Sequence, residues 1–329
     1  MRNSIHNDYL AKENSNCLKF IFSIAVVLCH LFAYEPFGES YGIGVIFTAL
    51  GYLSVSIFLF FSGYGLTISY INKGDSYFKF FLKNRVLPIY VIQAILIPIY
   101  SLFQFVIGNN VTWKLIIQSF LFGDSVVKYG WYIQMIILFY IIYYFAFLKS
   151  TIKNGIIKLS LGVLSFCIIC IVLKMSHIWF ESSLAFILGT IWAYKKNKID
   201  SLVCVPTKYV IVTIAVVFVF AFTFILGNAG LLPMVIKIPI KMISAVFFVI
   251  FVLLMVMKIR IKYKPLEFAG NYYFEIYFLQ GFFLTIFNEI IIIDNILVRY
   301  VVCIISIFIT AILIKPVVNF INNKCKGVN

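Results

Sequence analysis

The first apolar stretch of the chain holds two residues that hydropathy does not explain, Lys19 and His30. If the stretch is helical, their eleven-residue spacing amounts to three turns and about 20°, so both side chains leave one face about 16 Å apart. A charged side chain at mid-bilayer costs about 2.5–3.5 kcal/mol on insertion scales, and so asks for a reason. An imidazole accepts a hydroxyl proton near neutral pH, and an ammonium holds a phosphate. The pair suits transfer from an anionic donor, arriving at a cytoplasmic edge marked by Lys19, to a hydroxyl that meets His30 deeper in the membrane. The alternative is structural: His30 bonds a neighbouring helix and Lys19 reaches back to the interface as an anchor.

Other candidates for a site read two ways. Ser62 and Gly63, in F-F-S-G-Y-G-L at 60–66, permit close helix approach or an unwound turn. Lys83 and Arg85, in F-L-K-N-R-V-L-P-I-Y at 81–90, precede an apolar run that takes Pro88 in its first turn. They are a positive-inside anchor or a phosphate clamp, and the residues alone favour the anchor. Trp131 and Tyr132 open another run, where an aromatic belt accounts for them. Glu181 and Glu275 are carboxylates inside apolar runs, each in need of a partner or a proton. Tyr277 and Gln280 follow Glu275, with Tyr277 on a different helix face. His6 and His177 read as incidental. Cys167 and Cys170 form a C-x-x-C with no second ligand pair, which points to packing between helices, and no metal site is expected.

The elements that must position these residues are transmembrane helices. Of 329 residues, 63% are hydrophobic and 12% charged, and mean hydropathy is +1.04. Soluble domains run at roughly 45–50% and about 25% respectively. Lipid must be the solvent for most of this surface, which excludes a water-soluble globular fold. About 20 apolar residues cross a bilayer. Ten runs meet or approach that length: 17–34, 43–71, 86–107, 131–149, 155–174, 177–194, 208–227, 240–257, 272–293 and 297–318. The stretch 112–123 reads as a short interfacial helix, and 43–52 as a lead-in to the second span or part of it. Glu181 makes 177–194 the weakest run. The expectation is an all-α polytopic membrane protein of about ten transmembrane helices. A polar arm occupies 1–16, one transmembrane domain 17–318, and a tail 319–329.

Formal charge is +15, from 27 Lys+Arg against 12 Asp+Glu. The bases fall in short groups between apolar runs rather than in one patch, which argues against a nucleic-acid partner and for a positive-inside arrangement. With the amino terminus inside, 21 of the 27 fall on the cytoplasmic side and 6 outside. Glu35, Glu39, Glu289 and Asp294 fall outside too. Both termini are therefore expected in the cytoplasm. No cleavable leader is expected, and no loop is long enough for a soluble domain.

Taken in order, these pieces resemble the acyltransferase-3 family of membrane acyltransferases. Lys19 and His30 match the family's Lys or Arg, ten residues, then His in the first helix. S-G-Y-G-L at 62–66 resembles its S-G-(F/Y) stretch, and R-V-L-P-I-Y at 85–90 its R-I-x-P-x-Y. W-Y-I at 131–133 and L-A-F-I-L-G at 184–189 resemble its W-(F/Y)-(I/L) and F-x-x-G segments. A-G-N-Y-Y-F-E-I-Y-F-L-Q-G at 269–281 resembles its G-K-x-S-x-x-I-Y-L-x-H. The match runs over roughly 10–316. Two departures stand out. Leu82 replaces the first Arg of a frequent Arg-x-x-Arg, leaving Lys79 and Lys83 as substitutes. Gln280 and Tyr273 replace the late His and Ser, so neither carries an essential acid–base role.

The resemblance implies acyl transfer, most often of acetyl, from cytoplasmic acyl-CoA to a sugar hydroxyl of a surface polysaccharide or lipid-linked glycan. It implies His30 as catalytic residue, either base or transient acyl carrier. Lys19, Lys83 and Arg85 become donor-binding residues, and acyl-CoA a co-substrate rather than a bound cofactor. Ser62, Gly63, Trp131, Glu181, Glu275, Tyr277 and Gln280 stand as pocket-lining or structural candidates. The implied location is the bacterial cytoplasmic membrane, and nothing in the sequence addresses oligomeric state. A flippase or transporter of lipid-linked oligosaccharide is the leading alternative. It would favour inverted repeats with paired Gly/Pro breaks, and none is evident.

Overall fold

The computed structural model describes residues 5–6, 8–35, 43–123, 126–230 and 232–326. Arg2 and Glu39, used above to orient the spans, and the last three residues of the tail lie outside them. Every regular element is helical, with no strand among the described residues. Lipid demands this of any segment that must satisfy its own backbone.

The chain opens with α1 (Lys12–Phe32) and α2 (Ile43–Lys73). A 3₁₀ turn, Gly74–Phe80, leads to the short α3 (Phe81–Arg85) and to α4 (Leu87–Val106). Then come α5 (Trp113–Phe122), α6 (Trp131–Phe147) and α7 (Ile152–Val172). The second half is α8 (Leu184–Val203), α9 (Pro206–Asn228), α10 (Met234–Lys258), α11 (Lys264–Gly270), α12 (Tyr273–Thr285) and α13 (Ile296–Lys326). Pro88 lies in the first turn of α4, where it removes no helical donor.

Among the described residues, six stretches are long and apolar enough to cross a membrane: Lys12–Phe32, Gly44–Val106, Ile152–Val172, Pro206–Asn228, Met234–Lys258 and Ile296–Lys326. The second of them contains α2, α3 and α4. α6 is apolar but has 17 residues. α8 carries Lys195, Lys196, Lys198 and Asp200 in its second half.

Some boundaries differ from expectation. α1 begins at Lys12 rather than 17, so Lys19 lies about two turns inside the helix. Residues 43–52 belong to α2, whose 31 residues make one helix about 47 Å long. The run 177–194 is not one helix: His177–Trp179 is a 3₁₀ turn and α8 starts at Leu184. Side chains hold the intervening segment, because Glu181 is gripped by His177 and Lys241 and the Ser182 hydroxyl donates to the Tyr52 carbonyl at 2.7 Å. The run 272–293 breaks after α12 into a π turn, Ile286–Ile290.

The chain forms two compact units, 1–74 with 149–271, and 75–148 with 272–329. In the first, α2 packs on α1, α8 and α10. Glycines on both helices set the α2–α8 approach. A Cβ on Gly63 would sit 2.2 Å from the Phe186 carbonyl oxygen, and one on Gly189 2.1 Å from that of Phe60. Each helix thus offers its glycine to the other's backbone, the small-residue packing that membranes favour. In the second unit, α4 and α12 are pinned by Tyr100, whose hydroxyl donates to the Phe278 carbonyl and accepts from the Phe282 N–H, both at 2.8 Å.

Candidate functional site

α1 is uninterrupted from Lys12 to Phe32, so helix geometry keeps Lys19 and His30 on one face about 16 Å apart. His30 lies half-buried in the last turn. Its neighbours fasten that turn to α2: the Cys29 thiol donates to the Thr48 carbonyl at 3.4 Å, and Phe32 stacks on Phe47 at 3.8 Å. Gly51 makes the approach possible, since a Cβ there would stand 2.9 Å from the Cys29 sulfur.

A group of polar residues gathers at this same end of the unit. Glu181, 5% exposed, pairs through Oε2 with His177 Nδ1 at 2.9 Å and with Lys241 Nζ at 3.6 Å. Ser182, the next residue, donates to the Tyr52 carbonyl, and Gly51 beside Tyr52 packs on Cys29, the residue before His30. Lys241 Nζ stands 5.0 Å from the centroid of the Tyr52 ring. The Tyr52 hydroxyl meets Ser244 Oγ and Asn228 Nδ2, each at 3.5 Å. α1, α2, the segment before α8, α9 and α10 thus each contribute to one polar end.

The amino end of α1 is different. Lys19 is half-buried with its ammonium 5.6 Å from the centroid of the Phe61 ring. That places it beside Ser62 and Gly63, which sit in continuous helix rather than in an unwound turn. Ser62 is half-buried and Gly63 buried against α8. Three stretches singled out in the sequence, around Lys19, 60–66 and 184–189, therefore meet. Nearby, Tyr9 is fully buried, accepts from Trp192 Nε1 at 2.9 Å and donates to Asp200 Oδ1 at 2.8 Å. Burial pushes its phenol above the ordinary range, so it stays a donor. Lys196 takes the other Asp200 oxygen. The segment ahead of α1 is docked as well. The His6 N–H donates to the Met257 carbonyl at 3.0 Å, and Asp8 meets Lys262 at 3.0 Å.

Lys83, Arg85, Trp131, Glu275, Tyr277 and Gln280 belong to the second unit. Lys83 is exposed. Arg85 is half-buried, and its Nε donates to the Tyr77 hydroxyl at 3.1 Å. Glu275 finds its partner in Lys315, whose Nζ is 2.8 Å from Oε1 and 3.0 Å from Oε2. Trp131 and Tyr132 are buried at 8% and 2%, packed inside the protein rather than displayed as an aromatic belt. Tyr277 packs on Tyr132 at 4.9 Å and donates to the Tyr129 carbonyl at 3.1 Å. The Gln280 amide is fully buried, and neither of its polar atoms has a hydrogen-bond partner among the described residues.

Sequence reasoning passed over His177, Lys241 and Lys315. His177 and Glu181 have the i, i+4 spacing of a helical pair, a signal that was present and discounted as a segment end. Lys241 and Lys315, two of the bases whose positions orient the spans, are each engaged with a buried carboxylate. Cys167 and Cys170 are buried, Cys167 with its sulfur 3.2 Å from Ser183 Oγ. Among the described residues no group of three His, Cys, Asp or Glu could hold a metal ion.

A protein-family model described as an acyltransferase domain matches residues 13–315, nearly the whole chain. No curated protein and no solved structure matches it significantly.

Proposed function

The chain belongs to this acyltransferase family, and from that premise we propose that it moves an acyl group, acetyl in the simplest case, from cytoplasmic acyl-CoA to a sugar hydroxyl of a surface polysaccharide or lipid-linked glycan. The observation that carries this reading is the single helix α1, which holds a cation two turns in and an imidazole in its last turn, on one face. Lys19 binds donor phosphate, and Lys83 and Arg85 are donor-binding candidates on the strength of their sequence motif alone. His30 takes the proton of the acceptor hydroxyl as the oxygen–acyl bond forms and the carbon–sulfur bond breaks, and the departing thiolate recovers a proton from the imidazole. The same residue could instead carry the acyl group for one step, with the same products.

The topology that suits this reading has ten crossings of the bacterial cytoplasmic membrane and both termini in the cytoplasm. Donor and acceptor then approach α1 from opposite sides. The test is incubation of the purified protein with acetyl-CoA labelled in the acetyl group and a set of glycan acceptors. Label moving into an ester on the glycan supports the reading. Turnover of neither acetyl-CoA nor longer acyl-CoAs, in protein that is folded and inserted, counts against it.

A further inference from the structure

The His177–Glu181–Lys241 group has no task in the transfer as described so far. In this group His177 is 31% exposed at its side chain, Glu181 7% and Lys241 14%. A carboxylate only accepts, so Nδ1 of His177 donates to it, and Nε2 is left as the ring's second hydrogen-bonding position. Both contacts to Glu181 use Oε2. Among the described residues neither Glu181 Oε1 nor His177 Nε2 makes a hydrogen bond.

Two other buried or half-buried carboxylates show what a purely structural pair looks like here. Asp200 has Tyr9 on one oxygen and Lys196 on the other. Glu275 has both oxygens on Lys315. Glu181 alone of the three keeps an oxygen unused, at the end of the unit where α1 presents His30. That oxygen is not among the enclosed unpartnered atoms, so a donor group can reach it.

We propose that His177, Glu181 and Lys241 form the subsite that holds the acceptor, a neutral polyhydroxyl compound such as one face of a sugar; this rests on the acyl-transfer reading above. Hydroxyls, which both donate and accept, bond Nε2, donate to Oε1 and accept from the Lys241 ammonium. The charge pattern selects the class. An amine would face Lys241 and a carboxylic acid would face Glu181, whereas a neutral polyol satisfies both. Tyr52, buried under Lys241, fixes the position of the ammonium. The three side chains position the acceptor, and His30 performs the chemistry.

The test uses the full-length protein in detergent, with acetyl-CoA as donor and the methyl glycosides of glucose, galactose and N-acetylglucosamine as probes. His177→Gln should raise the KM for the preferred glycoside about tenfold or more, as loss of a hydrogen bond to a charged-group network does, and should move the donor KM by less than about twofold. A second variant separates binding from packing. Glu181→Met with Lys241→Met replaces the pair by apolar side chains of similar length, which a structural pair tolerates. It should melt near the wild-type temperature yet lose glycoside use. A wild-type glycoside KM in either variant, or donor and glycoside KM rising together, would overturn the subsite. Calorimetric binding of the glycoside without donor distinguishes this failure from failure of the enzymatic reading. Equal binding by wild type and His177→Gln overturns the subsite alone. Wild-type binding that is lost in the variant supports the subsite, even if no acyl transfer follows and the enzymatic reading falls.

Discussion

At the amino end of α1, Tyr9, Trp192, Lys196 and Asp200 consume one another's hydrogen-bonding capacity. At the carboxyl end, Glu181 and His177 bond each other and still leave one polar atom each unused. The two ends draw on the same side-chain chemistry, aromatic rings, a lysine and a carboxylate. The difference lies in satisfaction. A polar network that closes on itself fixes a structure, because each buried group has its partner. One that does not close keeps a desolvation cost that a ligand can relieve. Structural stability should therefore be concentrated at the first end and acceptor dependence at the second.

The sharpest way to break the closed end is through its helix crossing. Gly63→Val places carbon against the Phe186 carbonyl, backbone that cannot swing aside. It should cost about 3 kcal/mol, the upper part of the overpacking range, and appear as a lower melting temperature and poor recovery from membranes. A variant that melts like wild type would mean the α2–α8 crossing is looser than described. Next comes the donor side. Lys19→Ala and Arg85→Ala should each weaken acyl-CoA use by about 1.5–3 kcal/mol, read mainly in the donor KM. Unchanged donor kinetics in Arg85→Ala would make that residue a topological anchor only.

Tyr9→Phe removes a donor to Asp200 and the acceptor of Trp192 Nε1. About 1–3 kcal/mol of stability should go with it, while the transfer rate per folded molecule stays at the wild-type value. A drop in that rate with no loss of stability would erase the contrast between the ends. The smallest effect concerns the docked segment ahead of α1. The hydrogen bond from Lys262 holds the Asp8 carboxyl below its ordinary range. A depressed pKa contributes stability above the unfolded value and loses it as pH falls through the folded one. Protection of the Tyr9 and Ala11 amides from hydrogen exchange should weaken on acidification below the usual aspartate range, and Asp8→Asn should abolish that pH dependence.

The helices and the α1 pair were legible in the sequence because they depend on local periodicity. An apolar run declares its own helix, and a lysine and a histidine eleven residues apart need only helix geometry to share a face. The start of α8 was not legible, because Glu181 ends the helix through Lys241, a partner sixty residues away in the sequence. The fate of the amino-terminal arm was hidden for the same reason, since Tyr9 is buried by residues of α8. Trp131 and Tyr132 look alike in sequence whether they face lipid or protein, and only packing shows them buried. Long-range polar pairing, which builds both ends of the first unit, leaves little trace in local pattern.

The most direct measurement is the initial rate of acyl transfer from acetyl-CoA by His30→Ala, on protein whose melting temperature and membrane insertion match wild type. General-base catalysis is worth about 10²–10⁴-fold, and no carboxylate follows Glu13 in α1 to stand in for the imidazole. The expected result is a fall of at least about 100-fold in rate with the fold intact. Transfer at the wild-type rate would contradict the assignment of His30 and the enzymatic reading built on it.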